Sequence, residues 1–194
     1  MTSSTIDFLL GRKSAPIAEL RDPGPSEQEI RTLLTIAARV PDHGRLVPWR
    51  FILYRGNARR EVGEKLADLA EKREGPLTDA RREQELTRFS RAPLVIGVVH
   101  VPRDNPKIPQ WEMHLSGGAV AMSLLIAANA MGYGANWITN WYSDVEEGRA
   151  ILGLEPHERV IGFVHIGNFD GDVFERPRPD LDAVTSDYSG PKET

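Results

Sequence analysis

The 194-residue chain contains no cysteine. This absence excludes disulfide bonds, cysteine nucleophiles, thiolate-bound zinc and iron–sulfur clusters. Basic residues are also outnumbered, because 24 Lys and Arg against 28 Asp and Glu give a formal net charge of -4 at pH 7. A phosphate backbone needs a basic face, so nucleic acid is not an expected partner. No charged-then-apolar leader opens the chain, and we therefore expect a cytoplasmic location.

Other familiar patterns are missing as well. The apolar stretch 117–131 is too short to span a bilayer, so it predicts a core helix or a helix at a subunit interface, and no membrane partner. No Gly-x-Gly-x-x-Gly follows a strand pattern, which argues against a Rossmann nucleotide site. No metal site is predicted, because metal-ligand spacing is absent around His100, His114, His157 and His165. The length suits one domain over residues 1–194.

Apolar periodicity, interrupted by Pro and Gly, predicts helices and strands over most of the chain. Two capping boxes are predicted to open helices, one at Ser26 with Glu29 and one at Ser143 with Glu146. The predicted helices are 5–10, 26–39, 58–73, 78–89, 111–131 and 143–152. The predicted strands are 50–54, 94–101, 135–138 and 159–166.

Two segments are expected to pack poorly against the rest. Residues 58–89 are densely charged, have a weak apolar stripe and are broken at Gly75-Pro76. This pattern predicts a mobile surface element with few core contacts, and makes the segment a candidate lid. Residues 168–194 are polar and proline-rich, so this C-terminal extension is expected to be disordered unless something ties it down.

Two cationic motifs stand out. Arg12, Lys13 and Ser14 combine a planar guanidinium, a point charge and a hydroxyl, which together match phosphate oxygens. An ordinary solvated pair of cations is the alternative. The second motif is the loop within 38–51, where Pro41 ends a helix and Pro48 precedes a strand. The result is a short, stiff, cationic loop around an imidazole, although the loop taken alone favours a plain connector.

The two motifs together, at this separation, resemble the FMN-dependent nitroreductase family, and in particular a small branch with a Pro-Asp-His loop before Pro-Trp. The resemblance continues in order through residues 91–96, 107–112, 132–137 and 160–167, and so covers nearly the whole chain. It implies an α+β fold of three α/β/α layers around a mixed sheet. It also implies a homodimer in which the C-terminal segment is exchanged onto the partner and FMN lies at the interface.

The resemblance also assigns site residues. It implies that Arg12, Lys13 and Ser14 bind the FMN phosphate and ribityl chain, and that Arg39 and His43 approach the FMN of the partner subunit. The flavin ring would lie along Trp137, Ile138 and Thr139. Nicotinamide nucleotide contacts are implied, more weakly, for Ala127, Ala128, Asn129, Ala130, Met131 and Gly132. The alternatives are a loop histidine bonded to backbone, a core tryptophan, and a helix end whose small residues permit close packing.

The chain departs from the family pattern at several of these positions. Arg45 and Val47 stand where the commoner loop carries Asn and Gln, and Arg45 would bring positive charge near the flavin ring. Ile138 replaces an Arg of the similar branch. Arg176 or Arg178 in the C-terminal extension is a candidate replacement as a phosphate ligand.

The resemblance implies an NAD(P)H-dependent FMN oxidoreductase. Nitroaromatics, quinones or activated alkenes would accept two electrons in a ping-pong cycle. No side chain is expected to act as the catalytic residue, because flavin N5 carries the hydride. The alternative function is an FMN storage or sequestration protein without turnover, in which residues 58–89 would cover the flavin permanently.

Overall fold

The computed structural model describes residues 3–190. The helices are α1 Ser3–Gly11, α2 Glu27–Ala37, α3 Ala58–Glu74, α4 Asp79–Leu86, α5 Gln110–Ala130, α6 Glu146–Ile151 and α7 Leu181–Val184. The strands are β1 Trp49–Tyr54, β2 Leu94–His100, β3 Gly134–Ile138 and β4 Arg159–Gly167. Each predicted helix and strand is present. The largest differences are that the helix predicted over 78–89 ends at Leu86 and the one predicted to start at 143 begins at Glu146.

The four strands form one sheet in the order β1-β2-β4-β3. All three neighbouring pairs are antiparallel, so the expectation of a mixed sheet is corrected for the described residues. The connection between β1 and β2 shows why. A single crossover helix would carry the chain to the opposite end of the sheet, whereas the hairpin of α3 and α4 returns it to the end where it left. Tyr54 therefore pairs with Val95 near the start of the next strand.

Both faces of the sheet are covered by helices. One face packs against α2 and α5 through aliphatic side chains such as Leu33, Ile96 and Leu124, which form the first core cluster. The other face packs against α3 and the chain after α4 through Phe89, Phe163 and other residues of the second core cluster. All seven residues of β2 are buried, as its continuous apolar run predicts. The expected three layers are therefore confirmed.

The expectation of few core contacts for residues 58–89 is wrong. Leu66 and Phe89 are fully buried, and Phe89 lies at the centre of a group of aromatic rings. A Cβ on Gly63 would lie 2.1 Å from the Leu86 carbonyl oxygen, so α3 and α4 touch backbone to backbone. The apolar stripe of α3 is narrow and is surrounded by charges, which is why the sequence pattern understates it.

A buried carboxylate further anchors α4. Glu85 is fully buried and accepts hydrogen bonds from Arg81, from Arg88 Nη2 at 2.7 Å and from Trp141 Nε1 at 3.2 Å. Burial alone would raise the pKa of Glu85, but the hydrogen bonds from Arg88 and Arg81 outweigh it and hold that pKa below its usual range. The charge density that suggested a solvated surface is in part an internal ion-pair network.

One of the two predicted capping boxes is present. The Ser26 backbone N–H donates to Glu29 Oε2 at 2.8 Å at the start of α2. The predicted box at Ser143 and Glu146 is wrong, because Asn140 caps the chain one turn earlier. Ser143 instead ends the 3₁₀ turn Trp141–Ser143, and α6 begins after Val145 without a side-chain cap.

Within residues 3–190, α5 is the one helix long and apolar enough to cross a membrane. Its Val120, Ala121 and Leu124 are fully buried in the first core cluster. The prediction of a core helix is thus confirmed. The loop before β1 packs against α5, where Ser116 Oγ donates to the Pro41 carbonyl.

Candidate functional site

A cationic cavity lies where the end of α1 meets the C-terminal extension. Arg12, Lys13 and Ser14 line it together with Arg176 and Arg178, and its volume is about 130 Å³. Val173 and Phe174 complete the lining. The structure thus gathers the predicted phosphate-binding motif and the two candidate tail arginines, although they lie at opposite ends of the sequence.

The arm that carries the motif is fixed to the sheet. The Ala15 N–H donates to the Ala135 carbonyl at 3.1 Å, and Asn136 Nδ2 donates to the Ala15 carbonyl at 2.7 Å. These bonds hold the residues directly after Ser14 against β3. The position of the motif is therefore set by a strand of the core as well as by the end of α1.

Among the residues that line the cavity, Arg12 has a buried hydrogen-bond donor that no described residue satisfies. Its Nη1 is buried and has no hydrogen-bond partner among the described residues. A buried donor without an acceptor costs about 1–3 kcal/mol, and more when the group is charged. A phosphate oxygen in the cavity would supply the acceptor with the geometry that a guanidinium prefers. The cavity therefore fits the phosphate group of FMN.

The other cations are partly engaged by the tail itself. Lys13 Nζ donates to the Val173 carbonyl at 3.0 Å and lies 3.2 Å from Glu175 Oε2. Arg178 binds Glu175 Oε1 through Nε at 2.8 Å and Nη2 at 2.6 Å. Arg178 and Lys13 hold the pKa of Glu175 below its usual range. The extension, expected to be disordered unless tied down, is tied down here, and the cavity keeps an excess of positive charge.

The segment predicted to lie along a flavin ring occupies β3 and its end. Trp137 is half-buried, packs against the first core cluster, and places Nε1 3.4 Å from the Ile161 carbonyl oxygen. Its indole lies against Gly162, where a Cβ would be 1.8 Å from Nε1. Ile138 is half-buried and Thr139 is exposed. The packing of Trp137 matches the core alternative, and contact with a flavin stays a prediction.

Two of the residues with implied nicotinamide contacts are buried. Ala127 and Ala128 are 2% and 0% exposed and belong to the first core cluster, and nucleotide contact by them stays a prediction. Small residues there let α5 pack closely on its neighbours, which was the alternative interpretation. Asn129 Nδ2 donates to the Tyr133 carbonyl at 3.0 Å. Ala130 and Gly132 are exposed and Met131 is half-buried, so contacts by these residues stay predictions.

The loop before β1 is rigid and strained. The Asp42 carboxylate accepts hydrogen bonds from the N–H groups of Leu46 at 3.2 Å and Val47 at 2.8 Å. Gly44, Arg45 and Val47 have φ values of 71°, 53° and 46°. The left-handed region is costly for a β-branched residue such as Val47, and strain of this kind clusters at functional sites.

His43 has a partner that the sequence did not reveal. Its Nδ1 lies 2.7 Å from Glu112 Oε2 in the first turn of α5. The alternative of a histidine bonded to backbone is therefore wrong. Residues 43 and 112 are far apart in the chain, and only the packing of the loop on α5 brings them together. Arg39, His43 and Arg45 are exposed and lie outside the lining of the cationic cavity.

Comparison with known proteins agrees with the family resemblance seen in the sequence. The nitroreductase family profile matches residues 19–168. The chain is 29% identical over 164 residues to "Putative NAD(P)H nitroreductase YdjA" of Escherichia coli strain K12, covering 84% of this chain and 86% of that protein. It is 31% identical over 163 residues to a protein of Haemophilus influenzae named "Putative NAD(P)H nitroreductase", with the same coverage of both chains.

Solved structures share the fold. A nitroreductase-like family protein from Bacillus cereus superposes with a TM-score of 0.80 at 22% identity, covering 98% of this chain and 100% of that one. The FMN and NADPH-dependent nitroreductase NfnB of sphigopyxis sp. strain HMH gives a TM-score of 0.75 at 23% identity, with coverage of 96% and 99%. The extent of the profile match and the identity to the H. influenzae protein establish that this chain belongs to the nitroreductase family.

Proposed function

We propose that the protein is an FMN-dependent oxidoreductase that takes electrons from NAD(P)H and reduces nitroaromatics, quinones or similar electron-poor acceptors. FMN would carry the hydride, as flavins do, and the two substrates would react in turn in a ping-pong cycle. The family and the names of the relatives, which specify NAD(P)H, support the donor. An FMN and NADPH-dependent enzyme shares the fold and supports the cofactor.

The observation that carries the proposal is the buried, unpartnered Nη1 of Arg12, a residue that lines the cationic cavity. In the proposed complex the FMN phosphate accepts from Arg12 and Ser14, while Arg176 and Arg178 close over it from the C-terminal extension. Lys13 fixes that extension to the arm. No side-chain nucleophile is assigned, because the flavin supplies the redox chemistry.

We further propose that the functional unit is a homodimer with FMN at the interface, where Arg39, His43 and Arg45 come from the second copy. Support comes from large apolar side chains that a single chain leaves exposed. They include Phe174, Leu181, Val184 and Tyr188 of the extension and Ile6 and Leu10 of α1. Light scattering should find the mass of a dimer at micromolar concentration. The interface of that dimer should bury more than about 2,000 Å², as obligate homodimers do. A stable, flavin-loaded monomer after deletion of 168–194 would contradict this arrangement.

The experiment that tests the function is anaerobic reduction. The purified protein should bind one FMN per chain, and NADH or NADPH should bleach the flavin absorbance without oxygen. Addition of a quinone should then restore the absorbance. If neither nucleotide reduces a fully loaded dimer while dithionite does, the protein is a flavin storage protein instead. Shortening the chain around Gly75 would show in the same assay whether residues 58–89 control access.

A further inference from the structure

A second cavity lies between the loop before β1 and the first half of α5. Its volume is about 230 Å³, and it is lined by Pro41, His43, Glu112, Leu115, Ser116 and Ala119. An apolar cavity of roughly 150 Å³ already accommodates a benzene ring. The groove therefore has room for one aromatic ring with a small substituent.

The groove has an apolar wall and polar side chains. Pro41, Leu115 and Ala119 provide the apolar wall, and Leu115 is 63% exposed, so the wall is open to a ligand or a second copy. His43, Glu112 and Ser116 provide the polar side chains, and we call the pair of His43 and Glu112 the polar end. This division matches a small aromatic acceptor that carries a nitro or carbonyl oxygen.

The polar end is held in place by two contacts one helical turn apart on α5. Glu112 Oε2 lies 2.7 Å from His43 Nδ1, and Ser116 Oγ donates to the Pro41 carbonyl at 2.8 Å. Trp49 Nε1 in turn donates to Ser116 Oγ at 3.2 Å. Together with the bonds from Leu46 and Val47 to Asp42, these contacts hold the strained loop on the helix.

The pair of His43 and Glu112 helps to seat the loop on α5 but contributes little to the stability of the fold. The two side chains are 64% and 31% exposed, and neither belongs to a core cluster. Exposed ion pairs contribute about 0–1 kcal/mol to stability. A carboxylate can only accept, so Nδ1 carries a proton and Nε2 is the nitrogen left to meet a ligand. A ring nitrogen oriented in this way by a carboxylate is a standard arrangement for proton transfer.

We infer that this groove binds the electron-accepting substrate, with His43 as its proton donor and Glu112 as the residue that positions His43. The inference rests on the proposed function, in which His43 approaches the flavin of the other copy. Reduction of a quinone to a hydroquinone needs two electrons and two protons. The hydride equivalent from the NAD(P)H and FMN chemistry supplies both electrons and one proton. Protonated His43 gives the second proton from Nε2 to the quinone oxygen, and water reprotonates the ring.

The test compares two acceptors in the FMN-loaded protein reduced by NADPH. 1,4-Benzoquinone needs the groove and a proton, whereas ferricyanide takes single electrons and needs neither. In Glu112→Ala the ratio of the quinone rate to the ferricyanide rate should fall by at least about tenfold, the low end of general acid catalysis. Glu112→Gln keeps an oxygen that accepts from Nδ1 and should restore most of the ratio. Glu27→Gln is the matched control, because Glu27 also lies in the first turn of a helix and pairs with a side chain distant in the sequence, Arg55.

The outcomes separate the possibilities. An unchanged ratio in Glu112→Ala, or an equal fall for both acceptors, would overturn the inference and leave the proposed function standing. FMN content and the ¹⁵N shifts of His43 show whether Glu112→Ala has lost its fold or only the orientation of the ring. If the wild-type loaded protein reduces neither acceptor, the proposed function fails and the inference fails with it.

Discussion

Two regions of this protein are rich in arginine, and they use the residue in different ways. In the α3–α4 hairpin, Arg81, Arg82 and Arg88 each bind carboxylates of the same hairpin, including the buried Glu85. In the cationic cavity, Arg12 keeps a buried Nη1 without a partner among the described residues, and Arg176 and Arg178 line the same space.

The difference shows that density of positive charge does not identify an anion site. Both regions look alike in the sequence, since each contains closely spaced basic residues, although the cavity draws them from both ends of the chain. Only the positions of the carboxylates distinguish them. Where the chain supplies a carboxylate the arginine stabilises the fold, as Arg178 does with Glu175. Where it does not, as for Nη1 of Arg12, the guanidinium is left for a ligand.

The largest effect should come from breaking the paired region. Glu85→Gln removes the charge that pairs with Arg81 and Arg88, and should lower the free energy of unfolding by about 3 kcal/mol. The reason is that Arg88, whose side chain is 12% exposed, loses its carboxylate partner. Urea denaturation of the FMN-free protein measures this loss. Glu74→Gln, which removes an exposed partner of Arg81, is the control and should cost less than about 1 kcal/mol. Equal losses in the two variants would mean that burial of Glu85 is unimportant.

The paired region should also respond to pH through His165, whose Nε2 lies 3.2 Å from the Arg88 carbonyl oxygen. Burial lowers the pKa of His165 from 6.5 to about 4. The unfolded chain therefore binds a proton that the folded chain does not, and stability should fall as pH drops from 6.5 toward 4. At about 1.4 kcal/mol per pH unit the loss amounts to about 3 kcal/mol.

Denaturation curves between pH 7 and pH 4 measure this slope, and His165→Gln should reduce it. Some slope should remain, since burial also lowers the pKa of His100. Glu85 adds a separate loss at lower pH, where its own carboxylate becomes protonated. A wild-type slope that His165→Gln does not change would contradict the assignment.

In the unpaired region the expected effect is on binding. Arg12→Ala should weaken FMN binding by about 2 kcal/mol, or roughly 30-fold in Kd, the scale of a charge-assisted hydrogen bond. Fluorescence titration measures it. Arg82→Ala, an arginine already paired with Asp68 and Glu71, should leave the Kd of FMN unchanged. Riboflavin lacks the phosphate, so an equal loss of riboflavin affinity in Arg12→Ala would reject the phosphate site.

The smallest effect is expected at Lys13. Its ammonium is already engaged by the Val173 carbonyl and Glu175, and the two charged side chains are 32% and 51% exposed. Lys13→Met should therefore change the free energy of FMN binding by less than about 1 kcal/mol, and mainly loosen the extension. Isothermal titration with FMN resolves a change of this size, and a loss as large as that of Arg12→Ala would show that Lys13 binds the phosphate directly.

The secondary structure was predictable because the helices and strands follow apolar periodicity and are bounded by Pro, Gly and capping residues. The motif at Arg12 was recognisable for a similar reason, since its residues are adjacent in the chain. The expected mixed sheet came from the resemblance and failed because strand direction depends on how the connections pack, which local pattern does not encode. The second capping box failed because Asn140 offers a competing cap one turn earlier. The contact of His43 with Glu112 and the burial of Glu85 depend on tertiary packing, and periodicity carries no information about either.

The close approach of Gly63 to the Leu86 carbonyl has a consequence for how the hairpin opens. With no side chain between them, α3 and α4 cannot slide or part by changing a rotamer, so they separate only when the surrounding aromatic cluster comes apart. In native-state hydrogen exchange, the amides along this contact should share one opening free energy close to that of global unfolding. Any motion of residues 58–89 in the folded protein is then that of a single body turning about its two connections to the sheet.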